Sequence, residues 1–245
     1  MKNICEIEIK DCVHYRGFRY GGFGNNIYED YIISLLAGED IYVIKKEFVF
    51  RVLLYNGSDF GSALGLTLDR IYRPWLFPWI FAPYYISNNY CFDLYDVYEN
   101  PDIICHFSSE GVLASHINRE FVFLEKALKN ISKGYQPDTF GYVTVTKMML
   151  GSQVRYLVLD GNHRISALHA LGYKTVRAKV LSTCLARRSL MYIWPGVITN
   201  YFAIEDALKI FDRYFYENNI PFTETPFRNI IFDEPLDFKF AENFV

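Results

Sequence analysis

The chain has 245 residues, of which 51% are hydrophobic and 18% are aromatic, and its net charge is −3. A chain of this length can bury a large core without disulfides or metal ions, and its slightly acidic balance lacks the basic footprint of an autonomous DNA- or RNA-binding protein. The aromatic residues are almost entirely Phe (21) and Tyr (20).

Cysteine usage and the N-terminus predict a cytoplasmic protein. Five cysteines are an odd number with no C-x-x-C pair, which argues against a disulfide framework and against a cysteine-rich zinc site. The start MKNICEIEIKDC has no basic stretch followed by an apolar one, so it does not resemble a signal peptide. The most apolar segment, 75–86, contains two prolines and is shorter than the roughly 20 residues that cross a bilayer. We therefore expect no membrane span.

The N-terminal part of the chain predicts a mixture of elements. Residues 5–11 alternate as a short strand, 19–26 form a Gly-rich turn, and 28–40 carry apolar residues at helical spacing. The run IYVIKKEFVFRVLLY (41–55) predicts two strands. Residues 57–111 lack a sustained period and predict packed loops, since disorder requires low hydrophobicity.

The pattern sharpens from residue 118 onward. Alternating apolar residues predict strands, and apolar residues at helical spacing before a glycine predict helices. The predicted order is helix, strand, strand, helix and strand, over 118–135, 142–148, 155–160, 163–173 and 175–181. A further helix is predicted over 205–219, followed by an aromatic and acidic tail.

The sharpest local feature is the segment DGNHR at 160–164, between a predicted strand and a predicted helix. Gly161 permits a tight turn and a close approach of a ligand to the backbone. The residues after it open a helix, whose free N–H groups and positive dipole end favour an anion. Arg164 adds a planar fork suited to phosphate, and His163 can donate a hydrogen bond or a proton. The segment therefore predicts a phosphate site.

The same residues also permit a purely structural interpretation. Asp160 or Asn162 would then cap the helix, and Arg164 would pair with a carboxylate. Residue chemistry alone leaves both interpretations open, because short glycine motifs often match by chance.

Residues 117–182 resemble the ParB/sulfiredoxin-like fold. Its members have a helix, a strand pair, a D-G-x-H-R or G-E-R-R type box that opens a second helix, and a strand after it. Here the box is DGNHR and its continuation is ISALHALGYKTVRAKV. The resemblance implies an α+β fold with a small mixed sheet flanked by helices. We expect 113–182 to form a nucleotide-binding core, with aromatic-rich extensions at 1–112 and 183–245.

The resemblance also implies nucleotide binding by the box. By position, the phosphates of ATP, ADP or CTP would be held by Gly161, Asn162, His163 and Arg164. Asp160, just before them, would lie near a Mg²⁺ ion or the reacting group. ATP, or a related nucleotide, and Mg²⁺ are therefore the expected cofactors.

The box looks closest to that of the free-serine kinases of this fold, which phosphorylate a small hydroxyl substrate with a glutamate as base. Glu120 stands where those kinases place the base, with Asp160 and His163 as further catalytic candidates. Asn118 and Arg119, beside Glu120, are candidate substrate contacts. Each has a structural alternative. Glu120 would be a first-turn glutamate that interacts favourably with the helix dipole, Asn118 would be the N-cap, and Arg119 would be solvated.

Other branches of the fold fit less well. Sulfiredoxins use a cysteine before the His-Arg pair, and this chain has Asn162 there. ParB proteins carry a basic helix-turn-helix after the box, whereas residues 183–245 are aromatic and acidic. The predicted function is an ATP-type phosphotransferase acting on a hydroxyl of a small molecule, an amino acid or a sugar. The alternative is a ParB-like nucleotide switch that binds DNA or a protein partner.

Further residues are weaker candidates. Each has a structural alternative: a packed or half-exposed histidine, a solvated carboxylate, a turn anchored by tryptophan, or aromatic core filling. These candidates are His116 and His169; Asp102 and Glu110; Arg16, Arg19 and Tyr20 before the glycine cluster at 21–24; Arg187 and Arg188 before Trp194-Pro195-Gly196; and the aromatic run from Trp75 to Tyr85.

Overall fold

The computed structural model describes residues 4–21, 26–55, 61, 64–72, 77–80, 110–181 and 186–216. Six strands are assigned within these ranges: β1 (Ile4–Glu8), β2 (Cys12–His14), β3 (Val143–Leu150), β4 (Gln153–Asp160), β5 (Thr175–Val180) and β6 (Ala186–Arg187). The α-helices in the same ranges are α1 (Ile27–Leu36), α2 (Ile41–Tyr55), α3 (Glu110–Ile131), α4 (Pro137–Phe140), α5 (Asn162–Ala170), α6 (Pro195–Ile198) and α7 (Ile204–Arg213). These ranges also contain 3₁₀ segments at Ile9–Asp11 and Arg188–Ile193.

The strands form one mixed sheet in the order β1-β5-β3-β4-β2, and β6 lies beside the second half of β3. β1 pairs antiparallel with β5, β3 antiparallel with β4, and β2 parallel with β4. The predicted α+β class, with a mixed sheet flanked by helices, is confirmed. The N-terminal segment supplies both edge strands of this sheet.

The short link between the two edge strands requires a curved sheet. Residues 8 and 12 are four steps apart, a span of at most about 14 Å. Five flat strands would separate the outer two by about 19 Å. The sheet therefore curls, so that its two outer strands lie closer together than in a flat sheet.

Each face of the sheet has its own core. Side chains alternate between faces along a strand, and the neighbours Leu157 and Val158 of β4 accordingly enter different cores. The first core lies under α1, α2, α3 and α5 and includes Ile32, Phe121 and Leu168. The box therefore opens a helix that packs against both α1 and α3.

The second core accounts for much of the aromatic content in the described part of the flanks. Trp79, Trp194 and Phe211 are buried there with ring centroids 5.2–5.4 Å apart. Core filling is thus confirmed for residues 77–80, while the rest of the 75–86 run lies outside the described residues. Trp194 is also the buried anchor of its turn, as its structural alternative supposed.

The prediction for residues 41–55 was wrong. Residues 41–55 form the single helix α2, in which Ile44, Phe48 and Arg51 are buried at helical spacing. Its β-branched and aromatic residues favour strands locally, but packing of this stripe against α1 overrides that preference. The helix predicted over 205–219 is present as α7, which ends at Arg213, and residues 217–219 lie outside the described residues.

The helix predicted from residue 118 begins at Glu110 instead. Asn118 and Glu120 therefore lie inside α3, so neither the N-cap alternative for Asn118 nor the first-turn alternative for Glu120 is correct. Among the described helices, none combines the length and the apolar character needed to cross a membrane.

Candidate functional site

The box lies at the carboxyl edge of two parallel strands. β4 ends at Asp160, Gly161 adopts the left-handed conformation with φ 96°, and α5 begins at Asn162. β2 runs parallel to β4 with His14 opposite Val158, so residues 14–16 leave the sheet beside the box. The strand-to-helix turn predicted at Gly161 is confirmed.

Arg164 folds back across this turn. Its Nη2 donates to Asp160 Oδ2 at 2.7 Å, and its Nη1 donates to the Gly141 carbonyl at 2.6 Å. The carboxylate pairing considered for Arg164 is therefore present. Capping by Asp160 or Asn162 is wrong, since the N-cap position is Gly161 and no side chain bonds there.

Gly161 is expected to tolerate no side chain. A Cβ added there would lie 3.0 Å from Val143 Cγ2 and 3.0 Å from Arg164 Nη2, in a backbone conformation that L residues rarely adopt. The Gly161→Ala variant should lose about 3 kcal/mol of unfolding free energy, measured by chemical denaturation. Gly172→Ala is the matched control, because Gly172 also has a positive φ of 87° but open space around it. It should lose only about 1 kcal/mol, and equal losses would contradict the crowding argument.

Glu120 of α3 and His163 of α5 meet directly. The distance from His163 Nε2 to Glu120 Oε2 is 2.7 Å, although the residues are 43 positions apart. The Glu120 side chain is 12% exposed and the His163 side chain is 21% exposed, so the pair lies at the surface end of a mostly buried site. The His163 ring is flanked by Tyr28, at a centroid distance of 5.3 Å, and by Phe123, at 5.7 Å.

A buried polar cluster lies behind this pair. Arg16, Tyr15 and Tyr28 are linked through hydrogen bonds to the Tyr15 hydroxyl, and all three interact electrostatically with Glu120. Burial raises the pKa of both tyrosines, so their hydroxyls remain protonated. Burial alone would lower the pKa of Arg16, but its interactions with the Tyr15 and Tyr28 hydroxyls and with Glu120, including a hydrogen bond to Tyr15, outweigh burial and raise the pKa. The cluster therefore places a buried cation near the Glu120 carboxylate.

His14 completes the cluster as a neutral imidazole. Burial lowers its pKa well below the ordinary value, and the nearby Arg16 and His163 lower it further. Its Nδ1 accepts the Arg16 backbone N–H at 3.1 Å, which leaves the ring proton on Nε2. Sequence reasoning missed His14, Tyr15 and Tyr28, because no local motif marks them. Arg16 was a weak candidate as an anion ligand beside the glycine cluster.

The segment before α1 is also attached to α5. The Tyr20 hydroxyl donates to Asn162 Oδ1 at 2.7 Å, and the Gly21 N–H donates to Glu29 at 3.0 Å. The buried Glu29 carboxylate lies against His169, which is half-buried as its structural alternative supposed. Tyr20 thus contacts the box itself.

The remaining candidates lie apart from the pair or outside the described residues. Asn118 is half-buried and Arg119 is exposed on α3. The Arg19 guanidinium donates to the Phe215 carbonyl. The Arg188 guanidinium donates to the Asp212 carboxylate. Both arginines therefore bind C-terminal residues. The side chains of His116 and Glu110, and all of Asp102, lie outside the described residues.

Neither a metal-binding cluster among the described residues nor a similar known protein identifies the ligand of this site. Within the described ranges, no three His, Cys, Asp or Glu side chains are grouped as they would be around a metal ion. The Asp160 carboxylate is 65% exposed. Comparison of the chain with protein-family models, curated proteins and solved structures finds no match.

Proposed function

We propose that the protein is a nucleotide-dependent phosphotransferase, of the ATP type, that acts on a hydroxyl group. The observation that carries this proposal is the 2.7 Å contact between Glu120 and His163 where the box opens α5. Both residues are candidates on sequence grounds, and they come from separate elements. A carboxylate held by an imidazole beside a helix N-terminus provides a base next to a phosphate site.

The proposed phosphate site is the start of α5. The N–H groups of the first helical turn have no partner within the helix, and the left-handed turn at Gly161 leads directly into them. The order β3-β4-α5-β5 after α3 supports the proposed relation to ParB/sulfiredoxin-like proteins. The N-terminal strands β1 and β2 and the aromatic second core would then be additions to that core.

The proposed base is Glu120. It would accept the proton of the acceptor hydroxyl as that oxygen bonds to phosphorus and the bond to the leaving nucleotide breaks. His163 would keep the carboxylate in place, and the buried Arg16 would favour its ionised form before the reaction. ATP would supply the phosphoryl group, and a bound Mg²⁺ would neutralise the charge of its phosphates.

The donor chemistry of the box fits a nucleotide-bound Mg²⁺. Magnesium in such sites keeps several waters and uses one or two carboxylates together with phosphate oxygens. The exposed Asp160 carboxylate offers such a ligand without a dedicated protein cage. Binding of the ion would compete with the contact to Arg164, which would be released toward the phosphates.

The Arg164→Ala variant is expected to lose nucleotide binding while it remains folded. Thermal stabilisation by ATP with Mg²⁺ should fall to near zero, because a charge-assisted phosphate contact contributes roughly 1.5–3 kcal/mol. Arg177→Ala is the control, since Arg177 also pairs with an exposed carboxylate, that of Asp138, which is not a residue of the box. Stabilisation of the Arg164 variant equal to that of the control would show that Arg164 does not bind phosphate.

The proposal is tested by incubating the protein with ATP or CTP, Mg²⁺ and a panel of hydroxyl compounds. We expect nucleotide turnover and a phosphorylated product with at least one acceptor. The panel should contain amino acids, polyols and free sugars, with product detected by ³¹P NMR. Absence of nucleotide binding and of turnover across the panel would overturn the proposal.

A further inference from the structure

The edge of the candidate site carries an exposed aromatic ring. Phe123 lies three residues after Glu120 on α3, so their side chains are neighbours on one helix surface, with Cβ atoms about 5–6 Å apart. Its ring is 5.7 Å from the His163 ring and tilted by 48°. Phe123 therefore lies beside both members of the proposed base pair.

Phe123 differs from the other rings in this layer. Tyr28, Tyr31, Phe48 and Phe121 are all buried in the first core. Phe123 remains 37% exposed, although its ring contacts a residue of the site. A large apolar ring kept in water next to reactive groups suits a binding surface, because ligand binding would remove it from water.

The position of Phe123 determines whether the acceptor or the nucleotide would contact its ring. In the proposed reaction the base contacts the acceptor hydroxyl, whereas the nucleotide extends from the transferred phosphate toward its own base. The groups next to Glu120 and His163 therefore face the acceptor. An acceptor that contacts both Glu120 and Phe123 must carry a hydroxyl group and, close to that hydroxyl, a flat apolar surface.

We infer that the acceptor is a sugar ring whose C–H face packs on Phe123 while one of its hydroxyls reaches Glu120. This inference rests on the proposed phosphotransferase function and specifies its substrate class. A pyranose combines hydroxyls at its edge with an apolar face, which aromatic side chains bind. A small acyclic acceptor such as serine would leave the Phe123 ring in water.

The test uses Phe123→Trp as a reporter of ring contact. The three native tryptophans contribute a background that the unsubstituted protein measures. The full-length variant is titrated separately with methyl pyranosides, with serine and with ATP·Mg²⁺, and indole emission is recorded. Val122→Trp is the matched control, because Val122 is also exposed (53%) but lies about 100° away around α3.

We expect at least one pyranoside to shift the emission of the Phe123→Trp variant in a saturable manner and to leave the Val122→Trp variant unchanged. Phe123→Leu should weaken binding of that pyranoside by about tenfold, because it keeps an apolar side chain but removes the flat ring. Unchanged binding in Phe123→Leu would overturn the inference.

Three other outcomes would also overturn it: no response to any pyranoside, a response to serine, or a response to ATP alone, which would place the nucleobase on this ring. Each is distinguishable from failure of the proposed function, which is judged by nucleotide binding and turnover. An enzyme that phosphorylates an acyclic acceptor, and does so equally well with Phe123→Ala, would remain a phosphotransferase without a sugar site.

Discussion

The Glu120→Gln variant is expected to fold normally and to lose at least about a hundredfold of the phosphotransfer rate. A positioned general base contributes typically 10²–10⁴-fold. Glutamine can keep a hydrogen bond to His163 but cannot accept a proton from the acceptor. The loss should therefore appear in kcat, while the Tm and nucleotide binding remain close to those of the unsubstituted protein.

Glu125→Gln is the matched control for this variant. Glu125 lies on the same helix and accepts a hydrogen bond from the Tyr31 hydroxyl, but it is half-exposed and does not contact the box. Its kcat should be unchanged within a factor of about two. A Glu120→Gln variant with full activity would show that Glu120 is not the base.

A large loss of stability is expected from Asp206→Asn. The Asp206 carboxylate of α7 is fully buried and accepts hydrogen bonds from the Asp69 N–H at 3.0 Å and the Tyr72 hydroxyl at 2.7 Å. It also interacts with the Lys209 ammonium at 3.4 Å. Asparagine would direct an N–H group at one of these donors. We expect a loss of about 3 kcal/mol of unfolding free energy, measured in urea.

The cost of Asp206→Asn should depend on pH. Burial alone would raise the pKa of Asp206, but the Asp69 N–H, the Tyr72 hydroxyl and Lys209 outweigh it and hold the pKa below its ordinary value. A carboxyl with a lowered pKa stabilises the fold above its unfolded value of about 3.9 and loses this contribution as the pH falls through the folded value. The difference in unfolding free energy between the unsubstituted protein and the Asp206→Asn variant should thus be largest near pH 7 and should shrink below about pH 4.

Asp212→Asn provides the comparison on the same helix. Asp212 pairs with Arg188 at 2.7 Å, but this pair is partly exposed, so its removal should cost no more than about 1 kcal/mol. If the two variants lost equal stability, or if the cost of Asp206→Asn did not change with pH, the buried carboxylate would not have the role described.

Local features of the site could be predicted from the chain. A glycine between an apolar strand pattern and a helical pattern predicts a strand, a tight turn and a helix, and Gly161 has the positive φ that this requires. These features depend on residues that are close together in the sequence, so their backbone preferences and spacing can be read directly from it.

Contacts between distant segments could not be predicted in the same way. The residues 41–55 have a local preference for strands, and only their packing against α1 makes them a helix. The contact of Arg164 with the Gly141 carbonyl, 23 positions earlier, likewise depends on how the turn at Gly161 folds. Each outcome depends on contacts that the local pattern does not specify.

The sequence by itself therefore predicted the strand-to-helix turn at Gly161, and its resemblance to the ParB/sulfiredoxin-like fold indicated Glu120 as a candidate. Only the tertiary structure decided that Glu120 meets His163, and that His14, Arg16 and Tyr28 lie behind them. The physical reason is that β2 pairs parallel with β4 while α3 packs on α5. Strand register and helix packing set these distances, and neither is encoded in any short run of residues.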